Sequence, residues 1–166
     1  MKESDVWQQL GHVKDPEIET VSIVDLGMVE EIVIDEANVT VTILPTFLGC
    51  PALSIIQQNI ENRLRALPHI GEVNVAFVRH PPWTSARITD RGREALKAFG
   101  IAPPPSMPAE NGEWHVACPY CDSTYVTLDN LFGPTACRSI LYCKTCKNPF
   151  EAMKPIATYH HKKRRD

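Results

Sequence analysis

Long hydrophobic runs are absent from this chain of 166 residues. Its longest apolar stretches, such as residues 39–44, fall far below the roughly 18 residues that a membrane-spanning helix needs. The chain begins with charged residues, among them Lys2, Glu3 and Asp5, where a secretory signal would be apolar. We therefore expect a cytoplasmic protein with no membrane partner.

A large excess of charge of one sign is also absent. The chain has 17 basic and 20 acidic residues, and a net charge of -3 does not create a field that attracts nucleic acid or an anionic membrane. A short basic run, residues 160–165, has no interleaved aromatic residues and is a weak signal for RNA or DNA binding. Nucleotide and flavin fingerprints are missing, as are the Glu-x-x-His pairs of di-iron proteins.

The composition that remains is that of a folded protein, with 43% hydrophobic and 22% charged residues. Four prolines crowd the segment 101–112, which predicts an extended, semi-rigid linker that holds two small domains apart. The predicted units are an α+β domain (1–100), the linker (101–112), a zinc ribbon (113–156) and a basic tail (157–166).

Hydrophobic periodicity predicts an αββαβ-type first domain. The predicted elements begin with a first helix that is capped by Ser4 and ends near Gly11 or at Asp15-Pro16. They continue with a hairpin of strands 28–35 and 38–44, a helix over 53–67, a strand over 73–79 that runs parallel to the second hairpin strand, and a last helix from Thr89 or Asp90 to Phe99. Gly100 is in the position of a left-handed helix C-cap.

Four of the six cysteines form two C-x-x-C pairs separated by 21 residues: Cys118, Cys121, Cys143 and Cys146. Two such pairs on neighbouring hairpins provide four thiolates for a tetrahedral metal ion. The pattern predicts a structural zinc site that contributes folding free energy on the order of 10 kcal/mol. Four thiolates also suit iron or a redox cluster, and the spacing does not distinguish these metals.

The other two cysteines stand apart from this pattern. Cys50 precedes Pro51 at the start of the long helix, so we expect Cys50 at the N-cap, where unpaired amides would lower the pKa of its thiol. Gly49 would allow close approach to its backbone. The alternative is an ordinary half-buried cap residue. For Cys137 we favour a buried small side chain over a spare ligand or a reactive thiol.

Several motifs together resemble known families. They are Asp15-Pro-Glu-Ile18, Ile23-Val-Asp-Leu-Gly-Met-Val29, Pro45-Thr-x-x-Gly-Cys-Pro51, Pro82-Trp-Thr84, Gly100-Ile-Ala-Pro-Pro104 and Phe132-Gly-Pro-Thr-Ala-Cys137. The first three resemble the iron–sulfur maturation domain of SufT-type proteins. With the later motifs and the cysteine ribbon, the likeness extends to the PaaD family, the accessory subunits encoded with the bacterial phenylacetyl-CoA epoxidase.

The resemblance implies an accessory factor without catalytic residues that helps to assemble iron or iron–sulfur centres in phenylacetate catabolism. It implies that Cys50 is the functional thiol and a ligand of a transient iron or iron–sulfur species, in addition to the zinc in the ribbon. The residues expected to support it are Asp15, Glu17, Asp25, Thr46 and Gly49. The acidic residues among them also fit simple turn and cap chemistry.

The implied partners are the reductase or the oxygenase subunit of the epoxidase, which the ribbon would dock, and a homodimer is compatible with the sequence. Two other functions stay open at this stage. One is a cysteine-dependent enzyme with Cys50 as the nucleophile, although only the distant His69 or His80 could act as its base. The other is a structural or nucleic-acid adaptor built on the ribbon.

Overall fold

The structure is a computed structural model that describes residues 1–47, 50–105 and 115–156. The elements in chain order are α1 (Glu3–Leu10), β1 (Lys14–Asp15), β2 (Ile18–Ser22), β3 (Val29–Asp35), β4 (Asn38–Ile43), α2 (Leu53–Arg65), β5 (Val73–Phe77), a 3₁₀ turn (Ser85–Arg87), α3 (Asp90–Ala98), β6 (Ile101–Ala102), β7 (Val126–Asn130), β8 (Arg138–Cys143) and β9 (Pro149–Met153). In the described ranges, no helix has the length and apolar character needed to cross a membrane.

The first domain is built on the three-stranded sheet β3-β4-β5. Strands β3 and β4 form the predicted antiparallel hairpin, and β4 pairs in parallel with β5 in the register Val39 with Val73. Helix α2 makes the crossover between these parallel strands and buries Ile56, Ile60 and Leu64 against the sheet. The periodicity therefore predicted this unit correctly, because each element has a continuous apolar face.

The helix ends confirm one predicted cap and correct another. Thr89 caps α3 by accepting a hydrogen bond from the Gly92 amide, and Gly100 follows that helix with φ +88°. Ser4 does not cap α1. The N-cap is Lys2, two residues earlier, and Asp5 accepts a hydrogen bond of 3.1 Å from the Lys2 amide.

A two-stranded unit, β1-β2, was not predicted from the sequence. Strand β2 lacks a regular alternation, since its burial runs buried, exposed, exposed, buried, buried. It packs against α3, and its turn with β1 carries Asp15 and Glu17. This turn becomes one wall of the candidate site.

The second domain is a four-stranded sheet in the order β6-β9-β8-β7. Its small core consists of buried Ala102, Val116, Cys118, Leu141, Cys143, Phe150 and Ala152. Strands β7 and β8 lie between the two C-x-x-C pairs, and no sequence signal predicted the short strand β6.

The predicted linker is wrong at its beginning. Ile101 and Ala102 are each 1% exposed and form β6, which pairs in parallel with β9. Ile101 also packs in the core of the first domain together with Met153 from the end of β9. The two domains are therefore in contact instead of being held apart. Burial of these apolar side chains stabilises the contact, whereas an extended linker would leave them exposed to water. Residues 106–112 of the predicted linker and the basic tail 157–166 lie outside the described residues.

Candidate metal and thiol sites

The four paired cysteines converge at one end of the ribbon. Cys118 Sγ lies 3.7 Å from Cys146 Sγ, and Cys121 Sγ lies 3.6 Å from Cys143 Sγ. All four sulfurs lie within 4.8 Å of one another. A tetrahedron with metal–sulfur bonds of about 2.3 Å has sulfur–sulfur edges of about 3.8 Å. The cage therefore has the dimensions that a tetrahedral metal ion requires.

The two C-x-x-C turns have the same backbone design. The Asp122 amide donates to the Cys118 carbonyl and the Lys147 amide donates to the Cys143 carbonyl, both at 2.9 Å. Asp122 and Lys147 both have positive φ, 60° and 63°, which closes each turn tightly around its cysteines. In the metal-free quartet, hydrogen bonding from the Cys146 amide is the main reason why the pKa of Cys143 falls to about 6.

A second cluster of functional groups surrounds Cys50. A cavity of about 260 Å³ is lined by Glu17 from the β1-β2 turn, by Thr46, Phe47, Cys50 and Pro51 from the loop after β4, and by Pro134, Thr135, Ala136 and Cys137 from the loop between β7 and β8. Both domains therefore contribute walls to it. Of the predicted supporting residues, Glu17 and Thr46 line this cavity, and Gly49 lies outside the described residues.

The expected N-cap position of Cys50 is wrong. Helix α2 begins at Leu53 with Ala52 as its N-cap, and Cys50 precedes the cap by two residues. The Leu53 amide reaches the Cys50 carbonyl at 3.3 Å, so a turn separates the thiol from the helix. The reason is local: the chain makes a turn at Pro51 and Ala52 before the helical hydrogen bonds begin.

The direction of the pKa shift at Cys50 is also opposite to the expectation. Burial raises the pKa of this thiol, and the negative charges of Glu17, Asp15 and Cys137 raise it further. A hydrogen bond from the Ala52 amide opposes these effects without overcoming them. Cys50 is therefore a half-buried neutral thiol at neutral pH, in an environment that favours the arrival of a cation.

Asp15 shapes the acidic wall of the cavity. Its Oδ1 accepts hydrogen bonds from the Glu17 amide at 2.8 Å and from the Ile18 amide at 3.1 Å. Burial raises the pKa of Asp15, although these two amides and the Arg138 charge oppose the rise. The carboxylate thus holds the turn that presents Glu17, whose own carboxylate lies 4.0 Å from Arg138.

Asp25 lies at a different place and has a structural role. Its carboxylate accepts hydrogen bonds from Ser22 Oγ at 2.9 Å, Thr89 Oγ1 at 2.9 Å and Arg91 Nε at 3.1 Å. Burial opposes ionisation of this group, but the bonds from Arg91, Ser22 and Thr89 prevail and hold the pKa of the Asp25 carboxyl below its ordinary value. Asp25 therefore ties the turn after β2 to the start of α3, and its predicted support of Cys50 does not fit this position.

Cys137 was predicted to be a buried small residue, and it is instead half-buried on the cavity wall. Its sulfur shares a hydrogen bond of 3.1 Å with Thr135 Oγ1. No spacing signal in the sequence connects Cys137 with Cys50, which is 87 positions away, because only the packing of the ribbon on the first domain brings the two loops together.

Comparisons with known proteins match both halves of the chain. Residues 3–77 match the family model "Iron-sulfur cluster assembly protein", and residues 102–154 match "PaaD zinc beta ribbon domain". The fold of the first domain is similar to the crystal structure of a "Domain of Unknown Function DUF59" protein from Bacillus anthracis, with a TM-score of 0.54 and 32% identity, covering 57% of this chain and 90% of that one.

Two curated relatives match different extents of the chain. The chain is 38% identical over 93 residues to "Fe-S protein maturation auxiliary factor YitW" of Bacillus subtilis (strain 168), covering 55% of this chain and 87% of that protein. It is 33% identical over 158 residues to a subunit of the "Putative 1,2-phenylacetyl-CoA epoxidase" of Escherichia coli (strain K12), covering 92% of each chain. The chain belongs to the PaaD family, in which an iron–sulfur assembly domain is joined to a zinc ribbon.

Proposed function

We propose that this protein is an accessory maturation factor of a phenylacetyl-CoA epoxidase system, which handles iron or an iron–sulfur species for the reductase or the oxygenase subunit. The observation that carries the proposal is the position of Cys50, with Glu17, in a cavity between the two domains that the family combines. None of the six cysteines forms a disulfide, which agrees with the reducing cytoplasm that we propose for the protein.

The ribbon metal would be zinc with a structural role. Four protein thiols fill a tetrahedral coordination sphere and leave no open position for substrate or water. Bound zinc would supply charge neutralisation and a cross-link between the two C-x-x-C turns. The protein's own contribution is the pair of tight turns that already holds the sulfurs at the required separation.

Cys50 would be the group that meets the cargo. The carboxylate of Glu17 would attract a cation, and the neutral Cys50 thiol would lose its proton when a metal–sulfur bond forms. Sulfur together with a carboxylate oxygen suits iron, which accepts both ligand types. A thiol whose pKa is raised is poorly suited to act as a catalytic nucleophile, which argues against a cysteine-dependent enzyme.

The test uses a host strain that lacks its own PaaD-family protein and grows on phenylacetate only when this protein is supplied. Cys50→Ala should abolish growth and reduce the iron and acid-labile sulfide content of the purified reductase or oxygenase subunit. Ser54→Ala, at an exposed position four residues later, should support growth like the wild type. Full growth and full cluster content with Cys50→Ala, at equal protein level, would contradict the proposal.

A further inference from the structure

Two thiols that come from different domains face the same cavity. Cys50 is supplied by the loop after β4 in the first domain, and Cys137 is supplied by the loop before β8 in the ribbon. Both residues line this one cavity, and the charge of Cys137 is among the causes that raise the pKa of the Cys50 thiol. The four-cysteine cage uses neither of them, so both are free for another ligand.

The loop that carries Cys137 is fixed by Arg138, which is only 7% exposed. Arg138 Nη1 pairs with Glu151 at 2.6 Å, and Arg138 Nε donates to Thr135 Oγ1 at 3.0 Å. The same guanidinium lies 4.0 Å from the carboxylate of Glu17. A buried cation thus holds the ribbon loop and the acidic turn on either side of the cavity, so the cavity is a built feature of the interface between the domains.

The chemistry of the cavity suits a divalent metal of borderline softness. Two thiols and the Glu17 carboxylate provide sulfur and oxygen donors, a mixture that iron accepts and that magnesium and calcium do not prefer. A water molecule occupies about 30 Å³ of liquid, so about 260 Å³ holds an ion that keeps several water ligands. Open positions of this kind allow a metal to leave again, in contrast to the closed four-thiolate cage.

We propose that Cys50 and Cys137 together bind a ferrous ion as cargo, with Glu17 as the oxygen ligand. Two sulfur–iron bonds form as two S–H bonds break, the two protons pass to solvent, and iron stays in the ferrous state, so the step needs no oxidant. The inference rests on the proposed function of Cys50 and adds a second thiol, which gives the ribbon a direct part in metal handling.

The experiment uses the full chain with zinc already in the ribbon, titrated anaerobically with Co²⁺ as a spectroscopic probe and with Fe²⁺ as the competitor. The wild type should develop sulfur-to-cobalt charge-transfer absorption and release two protons per ion bound. Cys50→Ser and Cys137→Ser should each release one proton fewer and weaken binding at least about tenfold, since even outer-shell partners of a metal are worth 10- to 100-fold. Ser54→Ala, at an exposed position of α2 outside the cavity lining, should bind like the wild type.

The outcomes separate this inference from the proposed function. If Cys50→Ser loses binding while Cys137→Ser keeps wild-type affinity and proton release, the two-thiol site is overturned and the role of Cys50 stands. If both variants bind like the wild type, the two-thiol site and metal handling by Cys50 both fail. One zinc ion per chain in every sample shows that the ribbon is folded, and a wild-type circular dichroism spectrum shows that the first domain is folded as well.

A measurement on the unmodified protein gives an independent answer. Phenylarsine oxide bridges two neighbouring thiols, so one equivalent added to the zinc-loaded wild type should protect both Cys50 and Cys137 from alkylation, as read by mass spectrometry. Protection of only one of the two thiols, or a requirement for two equivalents, would overturn the proposal.

Discussion

Loss of the metal cage should unfold the ribbon and leave the first domain folded. We consider the variant Cys143→Ser, which replaces one of four sulfurs in a cage with sulfur–sulfur distances of 3.6 and 3.7 Å along two of its edges. A serine hydroxyl is a poor zinc ligand at neutral pH, and the remaining three thiols leave an open coordination position.

The size of the effect follows from the small apolar core of the ribbon. Its large buried side chains are Val116, Leu141 and Phe150, and each contributes about 1.5–3 kcal/mol through burial. Structural zinc contributes an apparent 10–16 kcal/mol in comparable small domains. The metal therefore outweighs the apolar core, and the ribbon cannot remain folded once the metal is lost. The core of the first domain is built almost wholly from its own side chains and should survive.

Hydrogen exchange resolved along the sequence, combined with zinc analysis, provides the measurement. Cys143→Ser should hold less than one zinc per chain and lose amide protection in β7, β8 and β9, while β3, β4 and β5 keep theirs. Cys137→Ser is the matched control, because its sulfur lies outside the cage and zinc binding should be complete. Wild-type protection in β8 and β9 of a zinc-free Cys143→Ser sample would refute the reasoning.

Three further predictions concern single groups. Glu17→Gln removes a charge that raises the pKa of Cys50, so alkylation of this thiol at neutral pH should accelerate by up to about fivefold, the equivalent of about 1 kcal/mol. The control Glu19→Gln, on the exposed part of β2, should leave the alkylation rate unchanged. Equal rates in both variants would contradict this prediction. Folding lowers the pKa of Asp25, so this carboxylate stabilises the fold above the ordinary aspartate pKa of about 4, and the stabilisation is lost as the pH falls further. In acid unfolding, the free energy of unfolding of Asp25→Asn should therefore fall less steeply with decreasing pH than that of the wild type. Parallel pH profiles of the two proteins would contradict this. Trp83 donates a buried hydrogen bond of 2.8 Å to a backbone carbonyl, so Trp83→Phe should reduce the free energy of unfolding in urea by about 1–3 kcal/mol, and an unchanged midpoint would speak against the bond.

The cavity between the domains offers a structural reason why the family joins these two domains in one chain. The first domain contributes Cys50 and Glu17, and the ribbon contributes Cys137. Zinc in the ribbon would then support the cavity indirectly, because it stabilises the sheet from which the Cys137 loop extends. The predicted ribbon unfolding in Cys143→Ser should accordingly also remove the second wall of the cavity.

The sequence by itself determined the elements whose signals are local. Spacings of a few residues correctly predicted three features: the hairpin whose second strand alternates Val and Thr, the helix with one apolar stripe, and the convergence of the two C-x-x-C pairs. The short motifs alone also carry the resemblance to the family. These features could be predicted because neighbouring residues alone decide which face of an element is apolar.

Tertiary structure decided the remainder, since these features depend on residues far apart in the chain. Strand β6 is only two residues long and exists because β9, about 50 positions later, pairs with it. The pKa of Cys50 rises because the turn that carries Glu17 and the loop that carries Cys137 enclose the thiol. The local sequence, a cysteine and a proline before a helix, could not predict this rise. The meeting of Cys50 with Cys137 likewise follows from the packing of two domains, and that packing is fixed by burial of apolar surface from both.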